Sequence, residues 1–261
     1  MRTNFHTHTP LCGHALGESA AEYAAAAYDA NLKILGFSDH APFQDHDFGY
    51  RMSFDDLITY FEEIDYLKRQ YTGKMEIRKA LEIEYLPEYT KGKNYYEWLL
   101  TEQKLDYLLL GEHFFRDSKN QLFNLYNIPS EEFILAYAKA CSEAMHTRYF
   151  KILAHPDLFG VNPFPWGKVQ EQATDIIIEA AIKNDVILEF NANGFRRGLQ
   201  EYTDGKRYMY PLDPFWDKVK GSPAKVIVGS DTHNPMEIWD YAMEQAFDYL
   251  QALGITPIET F

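Results

Sequence analysis

Residues 224–233 read A-K-V-I-V-G-S-D-T-H, a short apolar run that ends in Asp231 and His233. A run of this length with β-branched residues is typical of a buried strand. Six further apolar runs have the same character and are also predicted to be strands: 3–6, 33–38, 75–84, 105–111, 150–154 and 185–191. The runs are apolar on both faces, as parallel strands covered by helices are.

The segments between these strands have helical patterns, and several begin at a residue suited to start a helix. Ser19, Ser53 and Ser130 are good N-cap residues, and Pro87 is suited to the first helical turn. The predicted helical segments are 20–30, 54–70, 87–103, 133–146, 168–183 and 234–252. Strands alternating with helices imply right-handed crossovers and a parallel sheet, either a barrel or a doubly wound sheet.

Polar residues at the strand ends favour the barrel. Six of the seven predicted strands carry His, Asp or Glu at or near their carboxyl ends, and the remaining one ends in Asn191-Ala192-Asn193. A barrel brings all these ends to one rim, where active sites are built. A flat sheet would spread them over about 30 Å, because neighbouring strands lie about 4.8 Å apart. We therefore expect an α/β fold of the (β/α) barrel type with its site at the carboxyl-terminal rim. No linker or low-complexity tract divides residues 1–261, so one domain is expected.

Several of these residues have the spacing of metal ligands. His6 and His8 are two apart on a strand, so both point to one face, and Asp231 and His233 repeat that spacing. Glu82 lies in an apolar strand, where a buried carboxylate needs a compensating charge. Its neighbour Glu84 lies on the same face, so at least one of the two is expected to bind a metal. The alternative is an ion pair with Arg78 or Lys79.

The histidines indicate more than one ion. Seven of the nine lie at or just after predicted strand ends, and the other two, His46 and His146, are expected on the surface. With Glu82 and Asp231 the seven make too many donors for one ion. Nitrogen and oxygen donors suit two or three Zn²⁺, Mn²⁺ or Fe²⁺ ions. Cys12 lies between His8 and His14 and is therefore a possible further ligand, but a buried thiol is the simpler expectation.

The amino-acid composition disfavours some kinds of binding partner. The 25 Lys and Arg against 39 Asp and Glu give a net charge of −14, which disfavours nucleic acid and anionic membranes as bulk partners. Two cysteines fit a reducing compartment, and no stretch is apolar enough for a membrane span or a signal peptide. We therefore expect the protein to lie in the cytoplasm, and the sequence does not indicate its oligomeric state.

The motifs H-T-H-T-P, S-D-H-A-P, L-E-I-E, E-H-F, A-H-P-D and S-D-T-H-N-P follow one another in this order. In this the chain resembles the PHP (polymerase and histidinol phosphatase) family, from His6 to His233. Its length and its first two motifs are similar to the histidinol-phosphate phosphatase branch. The resemblance implies a distorted, TIM-like (β/α)7 barrel with a trinuclear metal site.

Carried over residue by residue, the resemblance implies three ion positions. The first would be held by His6, His8, Glu82 and Asp231, and Glu82 rather than Glu84 would bridge to the second. The second would also take His113 and His155, and the third would take His14, His40 and His233. The implied activity is metal-dependent hydrolysis of L-histidinol phosphate to L-histidinol and phosphate, a step of histidine biosynthesis.

Such an enzyme would use a hydroxide bridging two ions as the nucleophile, because metals lower the pKa of bound water. Asp231, His233 and Asp39 are the candidates for protonating the leaving oxygen. Arg197 and, second, Arg196 are expected to bind the phosphate, from the long rim loop 191–210. Loops 41–51 and 157–167 are expected to wall the pocket with aromatics. Four carboxylates are considered for the substrate amine: Asp45, Asp47, Glu112 and Asp157.

Other functions stay open at this point. A related phosphatase could act on phosphotyrosine proteins or on nucleotides, although the lack of basic stripes disfavours long polyanions. A metal hydrolase acting on C–N bonds would use similar donors. A barrel that only stores or senses metal is disfavoured, because the full set of donors is present.

Overall fold

The structure is a computed structural model that describes residues 1–203 and 205–261. Asp204, part of the expected rim loop 191–210, lies outside the described residues. The strands are β1 (Thr3–Asn4), β2 (Ile34–His40), β3 (Glu76–Ile83), β4 (Tyr107–Leu110), β5 (Phe114–Arg116), β6 (Leu122–Asn124), β7 (Ile152–Leu153), β8 (Ile187–Asn191), β9 (Leu199–Tyr202), β10 (Gly205–Tyr208) and β11 (Val226–Gly229). The α-helices are α1 (Ala20–Asp29), α2 (Leu57–Gln70), α3 (Tyr95–Thr101), α4 (Glu132–His146), α5 (Lys168–Asn184), α6 (Asn193–Arg196), α7 (Asp213–Lys220) and α8 (Tyr241–Leu253).

Seven parallel strands form the barrel in the order β1-β2-β3-β4-β7-β8-β11. The sheet closes just beyond the ends of β1 and β11, where Thr7 and Thr232 form a parallel bridge. There the amide of His8 donates to the carbonyl of Thr232 at 3.0 Å, and the amide of Thr232 donates to the carbonyl of His6 at 3.4 Å. The expectation of a (β/α)7 barrel is confirmed. We call this closing contact the seam.

Two apolar cores flank the barrel wall. The larger one lies between the strands and the surrounding helices. The smaller one fills the barrel and takes at least one residue from each barrel strand or its direct continuation: Phe5, Ile34, Ala80, Tyr107, Leu109, Ile152, Ala154, Ile187 and Ile227. Ile258 and Phe261 of the carboxyl-terminal segment pack against it. The amino-terminal half of the barrel is therefore filled with apolar side chains, and the rim is left for polar ones.

All seven predicted strands are present, and the helices differ mainly in where they begin. The predicted segment 87–103 is split into a 3₁₀ turn, Pro87–Thr90, and α3. The predicted segment 234–252 becomes a 3₁₀ turn, Pro235–Glu237, and then α8, which begins after the N-cap Asp240. The two hairpins, β5 with β6 and β9 with β10, were not predicted, because strands of three or four residues give little periodicity. Within the described residues, no helix is long and apolar enough to cross a membrane.

Candidate metal centre

Glu82 stands at the middle of the polar rim. Its Oε1 atom lies 2.9 Å from Nε2 of His155 and 3.6 Å from Nε2 of His113. Its Oε2 atom lies 3.0 Å from Nδ1 of His40 and 3.3 Å from Nε2 of His6. One carboxylate therefore faces histidines that arrive from four different strand ends, and it is only 1% exposed.

The donors fall into groups whose ligand atoms lie within 4.8 Å of one another. The groups are His6 with His8 and Asp231, His8 with His40 and Glu82, Glu82 with His113 and His155, His14 with His40 and His233, and His8 with Cys12 and His233. All nine ligands implied by the resemblance are thus gathered at one rim, and Glu82 belongs to two of the groups. His46 and His146 are exposed, as expected.

Three buried carboxylates contact the far side of the histidines. Glu189 lies 2.8 Å from Nδ1 of His6, Asp39 lies 3.3 Å from Nδ1 of His8, and Glu84 lies 3.2 Å from Nδ1 of His113. A carboxylate at Nδ1 favours a proton on that nitrogen and leaves Nε2 free to bind a metal. The three carboxylates therefore turn the Nε2 atoms toward the middle of the site.

Glu84 does not share the role of Glu82. Arg51 pairs with both of its oxygens, at 3.0 and 3.1 Å. Arg78, which was considered as a partner, instead binds Glu76 and the backbone oxygen of Phe261. Lys79 binds Asp65. Arg51 therefore supplies the compensating charge for Glu84, and Glu82 is left to the histidines.

Two glycines make room for the buried carboxylates. A Cβ atom at Gly111 would lie 2.3 Å from an oxygen of Glu82, and a Cβ atom at Gly229 would lie 1.8 Å from an oxygen of Glu189. Distances this short are not tolerated between a carbon and a carboxylate. Glycine at the ends of β4 and β11 is therefore part of how the carboxylates reach their positions.

The histidines differ in their protonation. Burial disfavours the charged form of His8, but hydrogen bonds to Asp231 and Asp39 outweigh this and raise its pKa to about 9. Burial and the charge on His8 lower the pKa of His40 to about 4 and that of His233 to about 2. His8 therefore carries a second proton beside the carboxylates, which an ion bound at Nε2 would displace, whereas His40 and His233 are neutral at neutral pH.

A cavity of about 450 Å³ opens above these donors. Besides donor residues, its lining includes the aromatic rings of Phe48, Tyr50, Phe114 and Tyr126, together with Arg51, Asn124, Asn193 and Arg197. Loop 41–51 supplies part of this aromatic wall, as expected. Loop 157–167 contributes no described residue to the lining, so that expectation is wrong.

The two arginines of the rim segment point to different places. Arg197 lines the cavity, with its guanidinium carbon 5.9 Å from the ring centre of Tyr210. Arg196 turns away and binds Asp240 with Nε and Nη2, at 2.8 and 3.0 Å. It also donates to the backbone oxygens of Ser230 and Glu237. Its donors are thus used within the scaffold.

The candidate acids are also placed differently. Asp39 is fully buried and accepts from the amide and hydroxyl of Thr9 and from the amide of His40, so it lies behind His8 rather than in the cavity. Asp231 and His233 line the cavity. Among the described residues, none of the four carboxylates considered for the substrate amine lines it. Asp157, for example, binds the amide of Leu212 and the indole of Trp216.

Sequence reasoning missed Glu189, Arg51 and Tyr126. A signal for Glu189 was present, because it is a carboxylate in the apolar strand D-V-I-L-E-F-N, as Glu82 is in its own strand. It is also two residues before Asn191, on the same face. No comparable signal marks Arg51, which lies in an irregular segment 33 residues before Glu84.

The sequence matches a known family. The PHP domain matches residues 4–193, and the chain belongs to the PHP family.

Individual relatives narrow the comparison. The chain is 26% identical to the "Probable histidinol-phosphatase" of Deinococcus radiodurans, covering 89% of this chain and 86% of that protein. It is also 26% identical to the histidinol-phosphatase of Bacillus subtilis, covering 92% and 96%. The crystal structure of histidinol phosphate phosphatase from Lactococcus lactis, complexed with zinc, L-histidinol and phosphate, superimposes with a TM-score of 0.71. That match has 17% sequence identity and covers 100% of this chain and 96% of the other.

Proposed function

We propose that this protein is a metal-dependent phosphomonoesterase that hydrolyses L-histidinol phosphate to L-histidinol and phosphate. The observation that carries the proposal is the gathering of all nine expected donors around Glu82, beneath an open cavity. Membership of the PHP family supports the chemistry, and the relatives named histidinol-phosphatase support the substrate.

The donor set fits divalent ions. Oε2 of Glu82 and Nε2 of His233 are buried and make no hydrogen bond, although Oε2 faces Nδ1 of His40 at 3.0 Å, and such atoms are costly unless another group binds them. We propose the ligand sets that the resemblance implied: His6, His8, Glu82 and Asp231; Glu82, His113 and His155; His14, His40 and His233. Bound there, two or three Zn²⁺, Mn²⁺ or Fe²⁺ ions would supply positive charge for the phosphoryl group and a water acidic enough to attack at neutral pH.

The residues of the chain would hold the substrate on the open side of this site. Arg197 would bind the phosphate, because a guanidinium can donate two parallel hydrogen bonds to its oxygens. We do not assign phosphate binding to Arg196, because its donors bind Asp240 and backbone oxygens. Phe48, Tyr50, Phe114 and Tyr126 would cover the organic part of the substrate and exclude water from it.

The leaving oxygen needs a proton. Asp39 is enclosed behind His8, and we propose that it only orients that histidine. Asp231 has Oδ1 near His8, and its Oδ2 accepts from Asn191 and Asn193, both at 3.2 Å. Despite its burial, His6 and His8 hold the pKa of Asp231 well below its usual range, and His233 is neutral, so we propose that water held between them on this side of the cavity donates the proton.

The acidic surface does not prevent binding of a phosphate dianion. Only two of the nine proposed ligands, Glu82 and Asp231, are carboxylates, and three further carboxylates, Glu189, Asp39 and Glu84, lie behind the histidines. Three divalent ions together with Arg51 would outweigh these five carboxylates and make the site positive. Arg197 adds a further positive charge at the cavity wall. The −14 charge of the chain therefore describes its outer surface and not the cavity.

The test is a turnover panel with Mn²⁺ or Zn²⁺ added to metal-free protein. Histidinol phosphate, phosphotyrosine, a nucleotide and an amide are compared by kcat/KM. We expect histidinol phosphate to exceed the other phosphomonoesters by at least about 100-fold, because specific polar contacts discriminate that strongly. Equal values for all phosphomonoesters would refute the substrate, and amide turnover alone would refute the reaction class. Protein kept with chelator serves as the control.

We further propose that residues 1–261 act as one domain on a small-molecule substrate, without nucleic acid or a membrane as partner. The cytoplasm is the proposed compartment, because Cys12 and Cys141 are buried and unpaired, which suits a reducing environment.

A further inference from the structure

Arg51 connects a metal-binding histidine to the wall of the cavity. Nη1 and Nη2 of its guanidinium donate to the two oxygens of Glu84 at 3.0 and 3.1 Å. Oε1 of Glu84 also lies 3.2 Å from Nδ1 of His113. The side chains of Arg51 and Glu84 are 5% and 1% exposed, so water competes little with these contacts.

The same guanidinium holds the loop that forms the cavity wall. Nη1 donates to the backbone oxygen of Ala41 at 3.0 Å, and Nε donates to that of Gly49 at 3.3 Å. The guanidinium also lies 5.0 Å from the ring centre of Phe48. Gly49 and Tyr50 have φ values of 74° and 50°, a left-handed conformation that is unfavourable for tyrosine. Such a conformation persists only where surrounding contacts enforce it.

The geometry of His113 shows what Glu84 does for it. With a proton on Nδ1 bound by Glu84, the lone pair of Nε2 faces the group that His113 forms with Glu82 and His155. A lone carboxylate at this depth would be destabilised, but a bidentate arginine compensates for it. Arg51 therefore acts on His113 only through Glu84.

We propose that Arg51 and Glu84 are positioning residues that couple ion binding at His113 to the shape of the substrate wall. Glu84 fixes the tautomer and orientation of His113. Arg51 fixes Glu84 and, with its remaining donors, the segment from Phe48 to Tyr50. The proposal rests on the proposed function for its substrate part and only on ion binding for the rest.

Zinc affinity tests the coupling without any turnover. Glu84→Gln, Arg51→Met and the double variant are stripped of metal, and Zn²⁺ binding is measured by competition with a chelator. We expect each single variant to bind one Zn²⁺ about 10–100-fold more weakly, as is typical when the partner of a metal-binding histidine is lost. The double variant should bind Zn²⁺ no more weakly than the worse single variant, because both changes act through one histidine.

Arg116→Met is the matched control. Arg116 also pairs with a glutamate, Glu88, with Nε 2.9 Å from Oε1, but neither residue belongs to the described lining of the cavity. Its zinc affinity should equal that of the unchanged protein. Unchanged affinity in Glu84→Gln, or additive losses in the double variant, would overturn the coupling. If Arg51→Met does not give the native circular dichroism spectrum, Arg51→Lys replaces it, and a loss of zinc affinity is again expected.

The substrate wall gives a second readout. Arg51→Met also frees the oxygens of Ala41 and Gly49, so the KM for histidinol phosphate should rise several-fold more than in Glu84→Gln. Equal KM values in the two variants would overturn the link to the wall. If histidinol phosphate is not hydrolysed by the unchanged protein, the proposed function fails, but the zinc experiment still decides the coupling.

Discussion

The two ends of the barrel are built from the same strands, but one end is an apolar core and the other is a polar site. Toward the amino-terminal end, Ile187 of β8 and Ile227 of β11 pack in an apolar core that Phe261 covers. Toward the other end, the inward positions of the same two strands are Glu189 and, just beyond β11, Asp231. Inward positions alternate along a strand, so only two residues on β8 and four along β11 separate the apolar core from the polar site. The comparison predicts that changes at one end leave the other end intact.

The largest effect is expected at the rim. His113→Ala should lower kcat/KM by more than about 100-fold and remove one bound ion, because a direct ligand should cost more than its outer partners. Metal analysis and steady-state kinetics on the same preparation measure both. His146→Ala is the control, since His146 is exposed on α4. Full activity and metal content in His113→Ala would make that residue part of the scaffold.

A change at the apolar end should affect stability alone. Ile227→Ala should lower the free energy of unfolding by about 2–5 kcal/mol, because it leaves a cavity in a closely packed core. Urea unfolding measures this, with Ile182→Ala as the exposed control. A saturating ion, at about 100 times its Kd, should still add about 2.7 kcal/mol to the variant. Loss of that increment would show that the two ends are not independent.

Arg196 sharpens the comparison, because it lies near the rim but belongs to the scaffold. Arg196→Ala should lower the free energy of unfolding by about 3 kcal/mol, because it leaves Asp240 without its partner in a largely buried pair. Urea unfolding beside the unchanged protein provides the measurement. An unchanged free energy of unfolding together with a raised KM would instead indicate that Arg196 binds the phosphate.

Arg197 should show the smallest effect of the four. Arg197→Ala should raise the KM for histidinol phosphate about 10-fold, the typical contribution of one charge-assisted hydrogen bond, with little change in stability. Arg69→Ala on the exposed face of α2 controls for the loss of charge. A KM equal to that of the control would exclude Arg197 from phosphate binding.

The same comparison explains what the sequence could predict. The strands could be predicted from the sequence because they depend on local pattern. The polar rim could be predicted because parallel strands in a barrel all end at one rim. The partner of Glu84 was not readable. Arg78 lies on the same face of β3 as Glu84 but about 20 Å nearer the opposite end, and Lys79 lies on the other face, where it binds Asp65. The true partner, Arg51, reaches Glu84 from an irregular loop, and no periodicity marks such a contact.

Orientation at the strand ends was only partly readable. Asp39 and His40 are adjacent at the end of β2, so they must point to opposite faces. His40 enters the cavity and Asp39 does not. Alternation could therefore have separated them. The roles of Arg196 and Arg197 could not be separated in this way, because short helix α6 sets their directions through tertiary contacts.

The seam has a consequence for how the protein is made. It joins His6 and His8, near the start of the sequence, to Asp231 and Thr232, near its end. His8 and Asp231 are 223 positions apart. A ribosome releases the first two histidines early and the aspartate late. The nascent chain therefore carries exposed donors without their partners, and it closes the barrel only after β11 has emerged. The group of His6, His8 and Asp231, and the site of any ion that binds to it, is therefore completed only late in synthesis.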